Sequence, residues 1–162
     1  MKNGLVIADS GPIISLALVN KLDVLTLLFD DVKIPTAVWN EITADESNLF
    51  YQKISSFFRD KVAPIKGPND LAFVMDYGEA ESVILYREAQ ANFLLIDDKK
   101  ARMIAENLGI NCIGTLGILL TAKDKGSIDN LRSIFVEFLA NKRFYSLQLL
   151  NNVLKQAGEE TL

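Results

Sequence analysis

The chain has 162 residues, of which 49% are hydrophobic and 23% charged, a composition that fits one globular domain with a sizeable core. It contains no histidine, which excludes Ser-His-Asp triads, histidine zinc sites and any imidazole general base. The net charge of -4, from 17 Lys and Arg against 21 Asp and Glu, argues against broad electrostatic attraction to nucleic acid.

Short β-like runs alternate with longer amphipathic stretches along the first half of the chain. Residues 5–8 predict a strand, and GPIISLALVN after it predicts a helix. LDVLTLLF is expected to continue that helix, and VKIP predicts a brief strand closed by Pro35. TAVWNEI then predicts a helix capped by Thr36, and residues 48–60 predict another helix.

The second half of the chain repeats this alternation. VAPIKGPND predicts a connector, and DYGEAESVILYREAQA predicts a strong helix with Ala80, Val83 and Ile84 on one face. FLLI predicts a buried strand, KKARMIAENL a helix that Gly109 ends, and INCI a further strand. The tail predicts several helices, with residues 127–162 as a helical extension.

The alternation of strands with helices predicts the fold class. It favours an α/β protein, a three-layer α/β/α sandwich in which helices cover both faces of a mostly parallel central sheet. Because the sequence has no repeat and no long linker, we expect residues 1–162 to form a single domain. Ligands of such sheets bind outside the carboxyl ends of the strands.

The cellular location follows from the cysteine content and the spacing of charges. One cysteine, Cys112, leaves no internal disulfide, so we expect a reducing cytoplasm. Charges interrupt every apolar stretch, and even the amino-terminal LVIADSGPIISLALV contains Asp9. We therefore expect no membrane-spanning segment and no membrane partner.

Several acids fall at the carboxyl edge of the predicted sheet. Asp9 ends the first strand, Asp97 and Asp98 end the FLLI strand, Glu79 opens the preceding helix, and Glu41 can point inward from TAVWNEI. Clustered carboxylates raise one another's pKa values unless a cation neutralises them. Oxygen ligands without His or Cys select a hard ion, so the sequence predicts a site for Mg²⁺ or Mn²⁺.

Most of these acids also have a structural interpretation. Asp76 and Glu79 have the spacing of a capping box, and Asp97 or Asp98 suits the N-cap of the KKARMIAENL helix. Glu81 lies about half a helical turn from Glu79, so we expect at most one of the two to face the cluster.

The first helix can be capped by Asp9 or Ser10, and Ser10 could instead bond a metal ligand or a phosphate. Capping does not explain Glu41, nor why two successive aspartates follow one strand. The acids taken together therefore favour a functional site more than any one of them does.

Four segments of the sequence together resemble the PIN-domain proteins of bacteria and archaea, near the VapC-type toxins. They are residues 1–25, VWNEI, residues 76–110 and GTLGILLTAKDKGSI, which lie within about the first four-fifths of the chain. The resemblance implies a compact α/β/α fold and metal-dependent cleavage of RNA by three or four acids. It also implies a homodimer and a small inhibitory antitoxin protein as a partner.

The resemblance further implies roles for individual acids. Asp9 matches the acid that ends the family's first strand, and Glu41 matches the glutamate of its early helical hairpin. The third acid of the family matches Glu79 or Glu81, of which Glu79 is preferred.

The fourth acid of the family falls in LLIDD. The family more commonly has a threonine or serine two positions before an aspartate, and Ile96 stands in that place here, so the register between Asp97 and Asp98 stays open with Asp97 favoured. The implied reaction is phosphodiester hydrolysis, with one or two Mg²⁺ or Mn²⁺ ions held by these acids lowering the pKa of a bound water.

Positive residues beside the acids are candidates for binding the RNA backbone. Lys99, Lys100 and Arg102 lie at the start of the helix after the acid pair, although exposed Lys and Arg on helices are usually only solvated. Lys123 and Lys125 form a second, less specific candidate patch.

The carboxyl-terminal helices are rich in Phe, Leu and Tyr at helical spacing. Most of this stripe is expected to be core, and part of it could form a dimer face or an antitoxin groove. Phe144 and Tyr145 could stack on RNA bases, although single aromatic residues more often pack inside proteins.

Two other classes of protein are alternatives to a nuclease toxin. One is a catalytically weak PIN-like module that binds RNA or a protein. The other is a phosphotransfer receiver, which places an acid pair at its first strand and a single aspartate at a middle strand. This order is reversed here, with Asp9 alone and Asp97 and Asp98 paired, so the receiver ranks last.

Overall fold

The structure is a computed structural model in which residues 2–143 and 145–162 are described. The chain divides into two compact units, residues 1–114 and residues 115–162. Whether the two units behave as the single domain expected from the sequence stays a prediction. No helix in the described residues is long and apolar enough to cross a membrane.

The described residues of the first unit contain five strands and six α-helices. The strands are β1 Leu5–Ala8, β2 Asp31–Pro35, β3 Val62–Ala63, β4 Phe93–Leu95 and β5 Cys112–Ile113. The helices are α1 Ser10–Leu18, α2 Asp23–Leu28, α3 Thr36–Ile42, α4 Tyr51–Phe58, α5 Tyr77–Glu88 and α6 Lys99–Asn107. The predicted connector, residues 62–70, contains β3, and a short 3₁₀ helix, Asp70–Phe73, begins at its last residue; the sequence patterns predicted neither element.

The five strands form one sheet in the order β3-β2-β1-β4-β5, and all four pairings are parallel. With helices flanking this sheet, the predicted α/β/α sandwich is confirmed. Strand β1 is central, because β2 pairs with one of its edges and β4 with the other. The junction between β1 and β4 is therefore the point where the strand order reverses, and ligands of such sheets bind at the carboxyl ends of the strands there.

The central strands are apolar because they are covered on both faces. Val6, Ile7, Leu94 and Leu95 are completely buried, as expected for near-continuous apolar runs in a parallel sheet. Helices α5 and α6 contribute small and branched side chains to the same core cluster, among them Ala80, Val83, Ala101 and Ala105.

Two predictions about the first helices are wrong in detail. LDVLTLLF forms the separate helix α2, because Asn20 adopts a left-handed φ of 56° after α1 and breaks the helical path. Thr36 is the first residue of α3, and Pro35 occupies the N-cap without a side-chain cap bond. Pro35 has an extended backbone that joins the end of β2 directly to α3, which leaves Thr36 inside the helix.

The second unit is helical, as predicted, with α7 Thr115–Asp124, α8 Leu131–Ala140 and α9 Leu147–Gln156. Asn130 caps α8 by accepting a bond from the Ser133 N–H at 2.9 Å. Ser146 caps α9 in the same way, with the Leu149 N–H at 3.1 Å.

Two residues with predicted RNA contacts make packing contacts in the second unit. Lys123 Nζ lies 3.1 Å from the Glu159 carboxylate, which also accepts a backbone bond at the start of α8. The ring of Tyr145 lies 5.1 Å from that of Phe138. Both residues have structural partners that do not involve RNA, and Phe144 lies outside the described residues.

Candidate active site

Pairing between β1 and β4 brings two of the predicted acids to one place. The backbone N–H of Asp9 donates to the carbonyl of Leu95 at 2.9 Å, one residue beyond the end of β1. Asp97 follows Leu95 by two residues, so the carboxyl ends of the two central strands place both aspartates at the switch point of the sheet.

One oxygen of the Asp9 carboxylate, Oδ1, is buried without a hydrogen-bond partner. Asp9 is 5% exposed, and it occupies the N-cap of α1 without a side-chain cap bond. Among the described residues, Asp9 Oδ1 and Asn69 Oδ1 are the two buried side-chain polar atoms that lack a partner. Since an unsatisfied buried acceptor costs about 1–3 kcal/mol, neither capping nor packing explains this carboxylate.

Burial raises the pKa of Asp9 to about 7, against a backbone hydrogen bond from Ser10 that lowers it. The negative charges of Glu79, Glu41 and Asp97 raise this pKa further. Glu79, Glu41 and Asp97, three of the predicted ligands, therefore lie within electrostatic range of Asp9, the fourth. Ser10 itself is the first residue of α1 and is half-buried.

Glu79 belongs to a capping box at the start of α5, as its spacing from Asp76 indicated. The Asp76 N–H donates to Glu79 Oε2 at 3.3 Å, and the Asp76 side chain accepts from the backbone of Glu79. Burial raises the pKa of Glu79 to about 7, with further increases from the charges of Asp98, Asp76 and Glu41. Glu79 therefore caps a helix and also faces other acids.

Glu41 reaches the first turn of α5 through a close contact at Gly78. A Cβ atom on Gly78 would overlap Glu41 Oε1 and would lie 3.0 Å from its Cδ. Gly78 is buried within α5, so its missing side chain leaves the space that the Glu41 carboxylate occupies. The sequence carried one signal of this contact, a glycine inside a helical pattern, which commonly has a packing reason.

The two successive aspartates have different environments. Asp98 is the N-cap of α6, and its Oδ1 accepts from the Ala101 N–H at 2.8 Å, which confirms that one aspartate of the pair caps this helix. Asp97 is half-buried, and a Cβ on Gly114 would lie 3.2 Å from Asp97 Oδ1 and 3.1 Å from Arg102 Nη1. Asp97, unlike Asp98, contributes to the raised pKa of Asp9.

Glu81 connects α5 to α3. It is 5% exposed, and its Oε1 accepts from the Ala37 N–H at 3.2 Å. Ala37 lies in the first turn of α3, where N–H groups lack partners within the helix. Glu81 thus holds the helix that carries Glu41, a role that the sequence patterns did not predict.

The predicted RNA-binding residues differ in their freedom to bind a substrate. Lys99 and Lys100 are exposed in the first turn of α6. Arg102 is half-buried; its Nε donates to Glu106 Oε1 at 2.9 Å and its Nη2 donates to the Cys112 carbonyl at 3.5 Å. Lys99 and Lys100 are therefore the better candidates for phosphate contacts.

A cavity of about 140 Å³ lies beside these acids in the first unit. Its lining consists of Val74, Met75, Asp76, Glu79, Asp98, Lys100, Ala101 and Ile104. It is several times larger than the roughly 30 Å³ that one water occupies in the liquid.

The acids suit a hard cation by their chemistry. In the described part of the chain, no group of three or more His, Cys, Asp or Glu side chains has the close spacing of a preformed metal site. The donors are nevertheless all carboxylates, Asp9 Oδ1 has no other partner, and the charges around Asp9 destabilise its ionised form. A divalent cation would relieve that repulsion, and Mg²⁺ and Mn²⁺ prefer such oxygen donors.

The fold and the acids define an α/β protein with a carboxylate-rich site at the switch point of a parallel sheet. A family model described as a PIN domain matches residues 5–159, so the chain belongs to the PIN-domain family, as the resemblance predicted. Comparisons with curated proteins and with solved structures gave no match. PIN domains are generally nucleases that bind nucleic acid and use divalent metal ions, which supports a hydrolase-type activity.

Proposed function

We propose that this protein is a metal-dependent endoribonuclease that hydrolyses RNA phosphodiesters. The observation that supports this most is the buried carboxylate of Asp9, whose Oδ1 has no partner and whose neighbours in electrostatic range are Glu79, Glu41 and Asp97. Such an unfavourable group at the ligand-binding edge of the sheet supports a functional role for Asp9, since perturbed carboxylates cluster at functional sites.

In this proposal Asp9, Glu41, Glu79 and Asp97 are the catalytic acids and the ligands of Mg²⁺ or Mn²⁺, with Asp98 as a further ligand candidate. Such an ion, when bound, activates a water for attack and neutralises charge on the phosphate. The chain's own contribution is to fix the ligands.

The contacts around these acids support such a fixing role. Glu81 holds α3 through Ala37, the capping box holds Glu79, and Gly78 makes room for Glu41. Each of these contacts restrains a helix or a side chain that carries a proposed ligand. Such restraint keeps reacting groups in a productive geometry.

Lys99 and Lys100 are proposed to bind phosphates of the RNA backbone, since both are exposed next to Asp98. Arg102 is proposed as a weaker contributor because it is half-buried and its Nε and Nη2 already donate to Glu106 and to the Cys112 carbonyl. With an overall charge of -4, the chain has no broad positive field to replace these local contacts.

We further propose that the chain is the toxin of a toxin-antitoxin pair, acting in the cytoplasm as a homodimer with a small antitoxin as its inhibitor. The support is the likeness of four sequence segments to VapC-type toxins. Helices α8 and α9 also expose apolar side chains that could contact a partner, namely Val136, Leu139, Leu147 and Leu149.

The test of the nuclease is cleavage of a mixed pool of RNAs, with added Mg²⁺ or Mn²⁺ and with a chelator. We expect cleavage by the wild type with metal, none with chelator, and a loss of at least about 100-fold in Asp9→Asn, on the scale of removing one stabilising group of an active site. Asp60→Asn is a matched control, because its side chain is 80% exposed and pairs with Lys61. Full cleavage by Asp9→Asn would refute the proposed mechanism.

A catalytically weak PIN-like module that binds RNA or protein is the second candidate function. Two observations favour it: the absence of a closely spaced metal-binding group among the described residues, and the capping bond that already occupies Asp98. This candidate predicts RNA or protein binding that is unchanged by chelator and is accompanied by no cleavage.

A further inference from the structure

An exposed apolar patch lies immediately before the acids of α5. Phe73 is 93% exposed, Val74 51% and Tyr77 62%, so three large apolar side chains within five residues face solvent. Tyr77 is the first residue of α5 and lies two positions before Glu79. Because contiguous exposed apolar side chains mark binding surfaces more than isolated ones do, this patch is a candidate interface beside the proposed catalytic acids.

Val74 belongs both to this patch and to the lining of the cavity beside the acids, and Phe73 and Tyr77 are the chain neighbours of lining residues Val74 and Asp76. Val74 lines the cavity together with Met75, Ala101 and Ile104, which form the apolar part of its wall. Its polar lining comes from Asp76, Glu79, Asp98 and Lys100. A flat group with an apolar face and polar edges suits such a lining, and one that bound there would lie next to Glu79.

A nucleobase of single-stranded RNA has this chemistry. Each base can stack on an exposed aromatic ring, and its edge carries hydrogen-bond donors and acceptors. Amino groups of bases can donate to carboxylates such as those of Asp76 and Asp98, and Lys100 is placed to pair with a phosphate. In a duplex the bases are paired and stacked, so this surface favours an unpaired strand.

We propose that Phe73, Tyr77 and the cavity form a nucleobase-binding subsite for single-stranded RNA, which places the neighbouring phosphodiester against the catalytic acids. This subsite rests on the proposed nuclease function, since its occupant is the substrate. It makes Phe73 and Tyr77 determinants of substrate binding that are separate from the carboxylates.

Binding can be measured without cleavage in the Asp9→Asn background, in the presence of Mg²⁺. A Phe73→Trp substitution in that background places an indole on the patch, and the same protein without it reports the contribution of Trp39, the natural tryptophan. We expect an unstructured RNA oligonucleotide to quench the added indole. An abasic oligonucleotide with the same phosphates is expected to quench it much less.

Three matched variants separate stacking from general hydrophobic contact. Phe73→Ala and Tyr77→Ala are each expected to weaken RNA binding by about five-fold or more, the low end of the loss of one stacked base. Phe73→Leu keeps an apolar side chain but loses the aromatic face, so a comparable loss is expected. Leu49→Ala, which removes an apolar side chain that is 89% exposed before α4, is the control and is expected to bind RNA normally.

The subsite is refuted if the abasic oligonucleotide binds and quenches as well as the normal one, or if Phe73→Ala and Tyr77→Ala bind RNA like the control. Full binding by Phe73→Leu also refutes stacking and instead indicates an apolar surface for a protein partner. Absence of RNA binding in every variant is equally a refutation. Failure of the nuclease proposal is seen separately, as no metal-dependent cleavage by the wild type, whatever the quenching shows.

Discussion

The buried carboxylate of Asp9 destabilises the folded state when it is ionised. Its pKa rises from 3.8 to about 7, mainly because it is buried, and each unit of such a shift corresponds to about 1.4 kcal/mol. The ionised side chain therefore destabilises the folded state by up to roughly 4 kcal/mol at a pH above its folded pKa. A cation at the site would reverse this effect, because it stabilises the ionised form.

Replacing Asp9 with asparagine is expected to stabilise the metal-free protein in a pH-dependent way. The unfolded carboxyl loses its proton near pH 3.8 and the folded one near pH 7, so the wild type loses stability as the pH rises between these values. We expect Asp9→Asn to raise the free energy of unfolding by about 1–3 kcal/mol at pH 8 and to change it little at pH 4. Urea unfolding with chelator at both pH values measures this, and a destabilisation that is equal at both would contradict it.

Gly78 is the second residue whose effect can be isolated. Gly78→Ala is expected to push the Glu41 carboxylate out of its place, because the new Cβ would overlap Oε1. Alanine favours a helix over glycine by up to about 1 kcal/mol, which opposes the cost of displacing the Glu41 carboxylate. The free energy of unfolding should therefore change little, while RNA cleavage should fall by at least about ten-fold.

Gly11→Ala in α1 is the control for Gly78→Ala, because a Cβ there would meet nothing within 4 Å. Cleavage rates and urea midpoints of the two variants are compared with those of the wild type. Normal cleavage by Gly78→Ala would show that the position of Glu41 is not needed.

At the scale of elements, α5 organises the site. Its first turn contains the capping box, Gly78 and Glu79, and its second turn contains Glu81, which bonds α3. Its last residue, Glu88, accepts bonds from the backbone N–H groups of Lys66 and Gly67 at 2.8–2.9 Å, which attaches the preceding connector. One helix thus fixes the proposed ligands on two helices.

Substitutions of Asp97 and Asp98 at the start of α6 can separate the role of a helix cap from that of a metal ligand. Asp98→Ser keeps a good N-cap, so we expect normal stability and most of the cleavage activity, whereas Asp98→Ala should cost about 1 kcal/mol through loss of the cap. Asp97→Asn is expected to abolish cleavage instead. Thermal unfolding and RNA cleavage of the three variants measure this, and an inactive but stable Asp98→Ser would make Asp98 the ligand.

At the scale of the whole molecule, the strands and the edge where their acids meet could be predicted from the sequence, whereas the contacts between helices could not. Apolar runs such as FLLI indicated the strands, and the rule for parallel sheets placed Asp9 and Asp97 at one edge, where the structure has them. The approach of Glu41 to Gly78 and the bond from Ala37 to Glu81 join residues 37–44 positions apart. No local pattern contains such contacts, since they depend on how α3 packs against α5.

The wrong prediction of a Thr36 cap has the same origin. Thr36 has the chemistry of an N-cap, but the geometry of β2 and Pro35 fixed the start of α3 one residue earlier, and Glu81 supplies the acceptor from another helix. By contrast, Asp98 and Asp76 cap through residues three positions away, and local spacing sufficed to predict the Asp76 cap and to limit the cap of α6 to Asp97 or Asp98. Caps made by neighbouring residues were thus predictable from the sequence. A cap supplied by a residue of another helix, as Glu81 supplies one to α3, was not.

The central claim is that the acids around Asp9 bind a divalent cation, and calorimetric titration of Mn²⁺ into chelator-treated protein tests it most directly. We expect saturable binding by the wild type, the same binding by Asp60→Asn, and at least about ten-fold weaker binding by Asp9→Asn, because the loss of one charged ligand removes more than about 1.4 kcal/mol. Equal Mn²⁺ binding by the wild type and Asp9→Asn, or no binding by either, would contradict the claim.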